Sequence, residues 1–112
     1  MSQITTHILD LSRGSPAAGV AASLYRGAGA ERELLGRGTT NGDGRIGDWL
    51  DDGELPAGVY SIEFESGAYF AALGVETFYP RVEIAFVVAA GGPHYHVPLL
   101  LSPWGYSTYR GS

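Results

Sequence analysis

The chain has 112 residues, the size of one ordinary domain, with 45% hydrophobic and 17% charged side chains; it is too apolar for a disordered chain, and no run approaches the roughly 20 apolar residues of a membrane helix. Seven basic side chains, all arginine, against twelve acidic ones leave a net charge of −5, so no basic patch offers itself to a nucleic-acid backbone. Cysteine is absent, which removes disulfides, thiolate chemistry and cysteine-ligated metal, and the N-terminal MSQITTHILDL lacks the charged and apolar regions of a secretory signal.

Seventeen glycines and six prolines cut the sequence into short apolar pieces, the spacing of strands joined by turns. Strands are predicted at residues 4–11, 21–25 and 34–40, separated by residues 12–19, the loop 27–30 and the turn Asn41-Gly42-Asp43-Gly44. Residues 59–65 alternate cleanly, with Tyr60, Ile62 and Phe64 on one face and Ser61, Glu63 and Glu65 on the other, the pattern of a half-buried strand. Ser66 is predicted to cap a short helix through Leu73, with Tyr69, Phe70 and Leu73 on one side and Gly74 as a left-handed stop. Residues 81–88 repeat the alternation, with Val82, Ile84, Phe86 and Val88 inward, before Gly91-Gly92-Pro93 turns the chain. Residues 95–101 and 105–110 read as two strands around Ser102-Pro103. Seven or eight strands with one helix predict an all-β sandwich or barrel.

If Tyr95, Val97, Leu99 and Leu101 face the core, His96, Pro98 and Leu100 share the opposite face. A leucine there predicts cover by another subunit. Pro98 donates no ladder hydrogen bond, which predicts an edge or a bulge.

His7, His94 and His96 stand near the two ends of the chain, where distant sandwich strands commonly pair. His-x-His with a third histidine is one donor pattern of an open zinc site, but the spacing is loose and the expected reading is surface or hydrogen-bonded structural histidines, with no metal assigned. The frame that puts Gly44 sixth in a calcium loop places Thr39 first and Leu50 twelfth, so calcium binding is unsupported. A glycine-rich turn accounts for every residue there except Arg45, which needs a partner or a substrate. The acidic run Asp48, Asp51, Asp52 and Glu54 reads as a solvated loop, and no G-x-S-x-G is present.

At His7-Ile8-Leu9-Asp10, at Gly14-Ser15-Pro16-Ala17 and at the run from Tyr95-His96-Val97-Pro98 to Gly105-Tyr106-Ser107, the chain resembles the transthyretin superfamily. The terminal Tyr109-Arg110-Gly111-Ser112 resembles the ending of the 5-hydroxyisourate hydrolases within it. The hormone carriers lack that ending and have lysine and threonine where His7 and His96 stand. The resemblance spans all 112 residues and implies one transthyretin-like Greek-key β-sandwich domain of about eight strands with one short helix. It further implies a homotetramer with active sites between two dimers. The implied reaction hydrolyses a lactam bond of 5-hydroxyisourate, giving 2-oxo-4-hydroxy-4-carboxy-5-ureidoimidazoline in urate breakdown, without metal or cofactor. Carried across by motif, His7, Arg45 and His96 are the expected catalytic residues, and Tyr109, Arg110, Gly111, Ser112 and Ser107 the expected substrate-binding ones. The competing expectation is a non-enzymatic binder of small aromatic ligands of the transthyretin type. The expected location is the cytoplasm, since the terminal Gly111-Ser112 is not a Ser-Lys-Leu signal.

Those residue types suit the task. Lactam hydrolysis needs an activated water, a stabiliser for the tetrahedral oxyanion and a proton for the departing nitrogen. A neutral histidine can take and return the proton near neutral pH. Arg45, with Arg110 as a second cation, offers fixed donors to carbonyl or oxyanion oxygens. Chain ends usually fray, whereas the resemblance implies an ordered tail whose Ser112 carboxylate stands in the pocket.

Overall fold

The computed structural model describes residues 3–50, 54–91 and 93–112. Ten elements follow in order: β1 (Ile4–Asp10), β2 (Ser15–Pro16), β3 (Ala21–Arg26), β4 (Glu33–Thr39), β5 (Arg45–Ile46), β6 (Gly58–Phe64), α1 (Ser66–Ala72), β7 (Val82–Val88), β8 (Tyr95–Ser102) and β9 (Gly105–Thr108). One sheet runs β2-β1-β8-β9 with β5 also on β1, and the other runs β4-β3-β6-β7. Nine strands are described where seven or eight were expected; β2 and β5, of two residues each, are too short for their periodicity to register.

The alternation places the core as expected. Tyr60, Ile62 and Phe64 of β6 are fully buried, as are Ile4 and Ile8 of β1 and Leu99 of β8. Each large apolar side chain withdrawn from water in this way contributes about 1.5–3 kcal/mol. On β7, Val82, Ile84 and Val88 are buried and Phe86 packs partly against the same cluster.

Three expectations need correction. Ser66 does not cap the helix: Glu65 holds that position without a side-chain bond, Ser66 is the first helical residue, and its buried Oγ has no partner among the described residues. The Pro80 carbonyl takes over at this end by accepting the Gly67 N–H at 3.0 Å, and packing of Tyr69 and Phe70 has overridden the local capping preference. Leu73 is 41% exposed and Gly74, at φ 71°, ends the helix as expected. The last strand stops at Thr108 rather than Arg110.

Pro98 is likewise not on an edge strand, because β8 lies between β1 and β9. Tyr95 N–H and Leu101 C=O bond towards β1, so by alternation the Pro98 nitrogen faces β9. There the ladder breaks: Thr108 Oγ1 donates to the Pro98 carbonyl at 2.7 Å, and pairing resumes only at a bridge between His96 and Gly111. The missing donor interrupts the ladder at Thr108, and the tail continues in the same register until Gly111 stands opposite His96. Of the acidic run, Asp51 and Asp52 lie outside the described residues, as does Gly92 of the turn before β8.

Asp10, 1% exposed at the end of β1, ties the helix to this sheet. Its Oδ1 accepts the N–H groups of Ser12 and Arg13 and the Ser12 hydroxyl, and its Oδ2 accepts the Tyr69 hydroxyl at 2.7 Å. Burial pushes the Asp10 carboxyl up, but these bonds outweigh it and hold the carboxyl below its ordinary value. A carboxyl depressed on folding stabilises above its unfolded pKa of about 4 and loses that contribution as pH falls through the folded value. Tyr69→Phe is expected to lower the unfolding free energy by about 1–3 kcal/mol in urea titrations at pH 7, and Asp10→Asn to flatten the acid limb of stability against pH.

Candidate active site

Neighbouring strands β5, β1 and β8 assemble one outward face. β1 runs parallel to β8 with Thr5 beside His96 and His7 beside Pro98, and antiparallel to β5 with His7 opposite Arg45. Because Ile4, Ile8, Tyr95, Val97, Leu99 and Leu101 are buried in the core, the alternate residues Thr5, His7, Leu9, His96, Pro98 and Leu100 turn away from it.

The Asn41-Gly44 turn delivers Arg45. Asn41 Oδ1 accepts the N–H groups of Asp43 and Arg45, both at 3.0 Å. Gly44, at φ 75°, accepts the Ile8 N–H at 2.8 Å through its carbonyl. A Cβ there would stand 2.5 Å from the Ile8 carbonyl oxygen, so glycine alone lets the loop press onto β1 and set Arg45 beside His7. Among the described residues no carboxylate forms an ion pair with Arg45.

His96 is half-buried and held on two sides. Its Nδ1 lies 2.8 Å from Thr5 Oγ1, which is also 3.1 Å from His94 Nε2. Its backbone carbonyl accepts the Gly111 N–H at 2.8 Å. A Cβ on Gly111 would come within 2.6 Å of His96 Cδ2, so the tail passes this imidazole only as glycine. The Arg110 guanidinium carbon stands 4.5 Å from the centroid of the Tyr95 ring, whose hydroxyl in turn accepts the Ala89 N–H at 2.7 Å. The last residues are therefore tied down rather than frayed.

Two cavities meet at His96. The smaller, about 230 Å³, is lined by Thr5, Arg45, His94, His96 and Ser112 among others. The larger, about 470 Å³, is mostly apolar and lies between β7 and the tail, with Phe86, Val87, Tyr109 and Arg110 on its walls. The smaller one gathers the convergent polar groups and is the candidate site. Of the residues expected there, Arg45, His96 and Ser112 line it, and His7 stands opposite Arg45 in the ladder without lining it. Tyr109 and Arg110 border the larger cavity, Gly111 is the spacer against His96, and Ser107, opposite Leu100 on β9, borders neither. Thr5 and His94 join the site although sequence reasoning gave them no role in it. The period of two puts Thr5 on the face of His7, but its pairing with β8 has no local signal. Among the described residues no cluster of three or more histidine or carboxylate side chains is placed to hold a metal ion.

Burial and then the Arg45 cation lower the His7 pKa, against an opposing pull from Asp43. Burial, Arg45, His7 and His94 together lower that of His96. Both rings thus stay neutral to a lower pH than a free histidine, beside a guanidinium that presents only donors.

The HIUase/Transthyretin family model matches residues 4–111. This chain belongs to the HIUase/Transthyretin family. Within the family it is 44% identical to the 5-hydroxyisourate hydrolase of Pseudomonas aeruginosa, over all of this chain and 93% of that protein. The solved structure of Klebsiella pneumoniae 5-hydroxyisourate hydrolase superposes with a TM-score of 0.85 at 47% identity, covering 97% of this chain and 98% of that one. Sea bream transthyretin in complex with thyroxine superposes with a TM-score of 0.89 at 32% identity, covering 97% and 94%. The transthyretin-like sandwich is thus common to a 5-hydroxyisourate hydrolase and a thyroxine-bound transthyretin, and fold alone does not assign function.

Gly111→Ala is expected to displace either the tail or the His96 ring. Faster amide exchange at position 111 and shifted His96 ring resonances report it, with global stability within about 0.5 kcal/mol of the parent protein.

Proposed function

We propose that this chain, acting as a single domain, hydrolyses 5-hydroxyisourate to 2-oxo-4-hydroxy-4-carboxy-5-ureidoimidazoline, a step in urate breakdown. The observation that carries the reading is the convergence of His96, Arg45 and Ser112 on one cavity with His7 opposite Arg45 in the ladder. A neutral imidazole, His96 or His7, takes a proton from water as the oxygen attacks the lactam carbonyl. Arg45 faces the negative charge that gathers on the carbonyl oxygen, offering donors that no carboxylate among the described residues engages. The proton then returns to the ring nitrogen as the carbon–nitrogen bond breaks. The tail contributes Ser112 to the cavity and Tyr109 and Arg110 beside it.

The carrier reading shares the fold, but the two histidines and the arginine at this face favour chemistry over passive binding. Homotetramer formation with sites between two dimers accords with the apolar side chains on the same face: Leu9 and Leu100 are half-buried in the single chain and the adjoining Leu11 is 56% exposed. Among the described residues no helix is long and apolar enough to cross a membrane, and cytoplasmic residence is part of the same proposal.

Substrate generated in situ from urate, with its ultraviolet decay followed against a protein-free control, tests the reading. The intact protein is expected to accelerate decay with or without chelator. His96→Ala is expected to lose about 10²–10⁴-fold, Arg45→Ala about 10²–10³-fold, and deletion of residues 110–112 to lower activity far more than stability. Decay at the spontaneous rate in every sample moves the protein to the binding class. Because the lowered His7 and His96 values keep both bases neutral, kcat/KM should persist below pH 6.5 and fall only as pH drops through those depressed values.

A further inference from the structure

Thr5 Oγ1 lies within hydrogen-bond reach of two imidazole nitrogens, His96 Nδ1 at 2.8 Å and His94 Nε2 at 3.1 Å. A threonine hydroxyl owns one proton. It can donate to one ring only, and the other ring must donate to it if both bonds are made. The direction of this short chain therefore decides which nitrogen of His96 carries its proton, and so what His96 shows to the cavity through Nε2. Among the described residues nothing hydrogen-bonds to that Nε2.

We propose that Thr5 is a positioning residue that sets the tautomer of His96: the His96 Nδ1–H donates to Thr5 Oγ1, the Thr5 hydroxyl donates to His94 Nε2, and His96 Nε2 is left as a bare acceptor in the cavity. Two observations favour this direction over its reverse. Arg45 lines the same cavity and is a permanent cation with donors only, so its field favours a lone pair at Nε2 and opposes a second N–H there. Ser112, which lines the same cavity, forms no hydrogen bond with His96 among the described residues. His94 is exposed, so water serves its protonated Nδ1 while its Nε2 accepts from Thr5. His94 and His96 lie nearly parallel, 19° apart with centroids 6.5 Å apart, which presents both ring edges to the one hydroxyl.

The arrangement gives His96 the orienting third group that an imidazole base needs. When Nε2 takes a proton, the Nδ1–H···Oγ1 bond becomes charge-assisted and strengthens, and the hydroxyl cannot turn away because His94 holds its proton. The catalytic consequence rests on the hydrolase reading above, whereas the tautomer itself does not.

The test is a two-bond proton–nitrogen correlation spectrum of the full chain labelled with ¹⁵N-histidine, without substrate and at pH 8, His96 being assigned from His96→Ala. The expected result is a protonated, pyrrole-type Nδ1 and a pyridine-type Nε2 on His96. Thr5→Val should shift the ring towards the Nε2–H form and lower kcat about 10–100-fold with KM little changed, while Thr5→Ser restores both spectrum and kcat. A pyrrole-type Nε2 in the unsubstituted protein overturns the proposal whether or not Thr5→Val folds, as does a Thr5→Val spectrum like the parent one. A pyrrole-type Nδ1 in a protein that leaves 5-hydroxyisourate decay unchanged sustains the tautomer and overturns only the hydrolase reading.

Discussion

The parallel pairing of β1 with β8, seven residue pairs from Ile4 beside Tyr95 to Asp10 beside Leu101, is the constraint on which the rest depends. It joins the two ends of the chain, about 90 residues apart in sequence, and a parallel pair so distant is held by side-chain packing as much as by its own ladder. One register serves both faces. Inward it stacks Ile4 and Ile8 with Tyr95, Val97, Leu99 and Leu101; outward it sets Thr5 against His96. A slip of one residue would turn one strand's apolar set outward and bury its polar set, so the core enforces the geometry of the site.

A second constraint comes from residues defined by what they lack. Pro98 has no N–H to give to β9, and the ladder breaks there, which is why β9 ends at Thr108 and the tail, still in register, meets His96 through a single bridge. Gly111 has no Cβ to strike the His96 ring, and Gly44 has none to strike the Ile8 carbonyl. All three act at points where a site residue is delivered: Gly44 precedes Arg45, Gly111 precedes Ser112, and Pro98 follows His96 by two. Loss of an ordinary group buys close approach here.

Electrostatics on this face follow from the same packing. The Arg45 guanidinium, without a carboxylate partner among the described residues, two histidines lowered by burial and by that cation, and a tail carrying Arg110 over Tyr95 gather on this side of the sheet. On the other sheet a charge cluster is paired: Arg32 bonds Glu63 at 3.0 Å and lies over Tyr25, and Arg81 approaches Glu63 and Glu83.

Much of this was legible without coordinates. The period of two in β6, β7 and β8 showed the core-facing residues, because burial of alternate side chains is imposed on each strand locally. The glycine-rich turn before Arg45 and the Tyr109-Arg110-Gly111-Ser112 ending marked their residues by type and order. Local signals failed where distant packing outweighed them: Ser66 reads as a cap but is buried as the first helical residue, with Tyr69 and Phe70 buried after it, and Pro98 reads as an edge residue but sits in a central strand whose ladder breaks opposite the tail. The sequence by itself determined the alternation, the turns and the inventory of histidines and arginine. Only the tertiary structure decided that Thr5 stands between His94 and His96, that His7 faces Arg45 and that Gly111 rests on an imidazole, since each depends on register between segments far apart in the chain, and register is settled by the packing of the whole core.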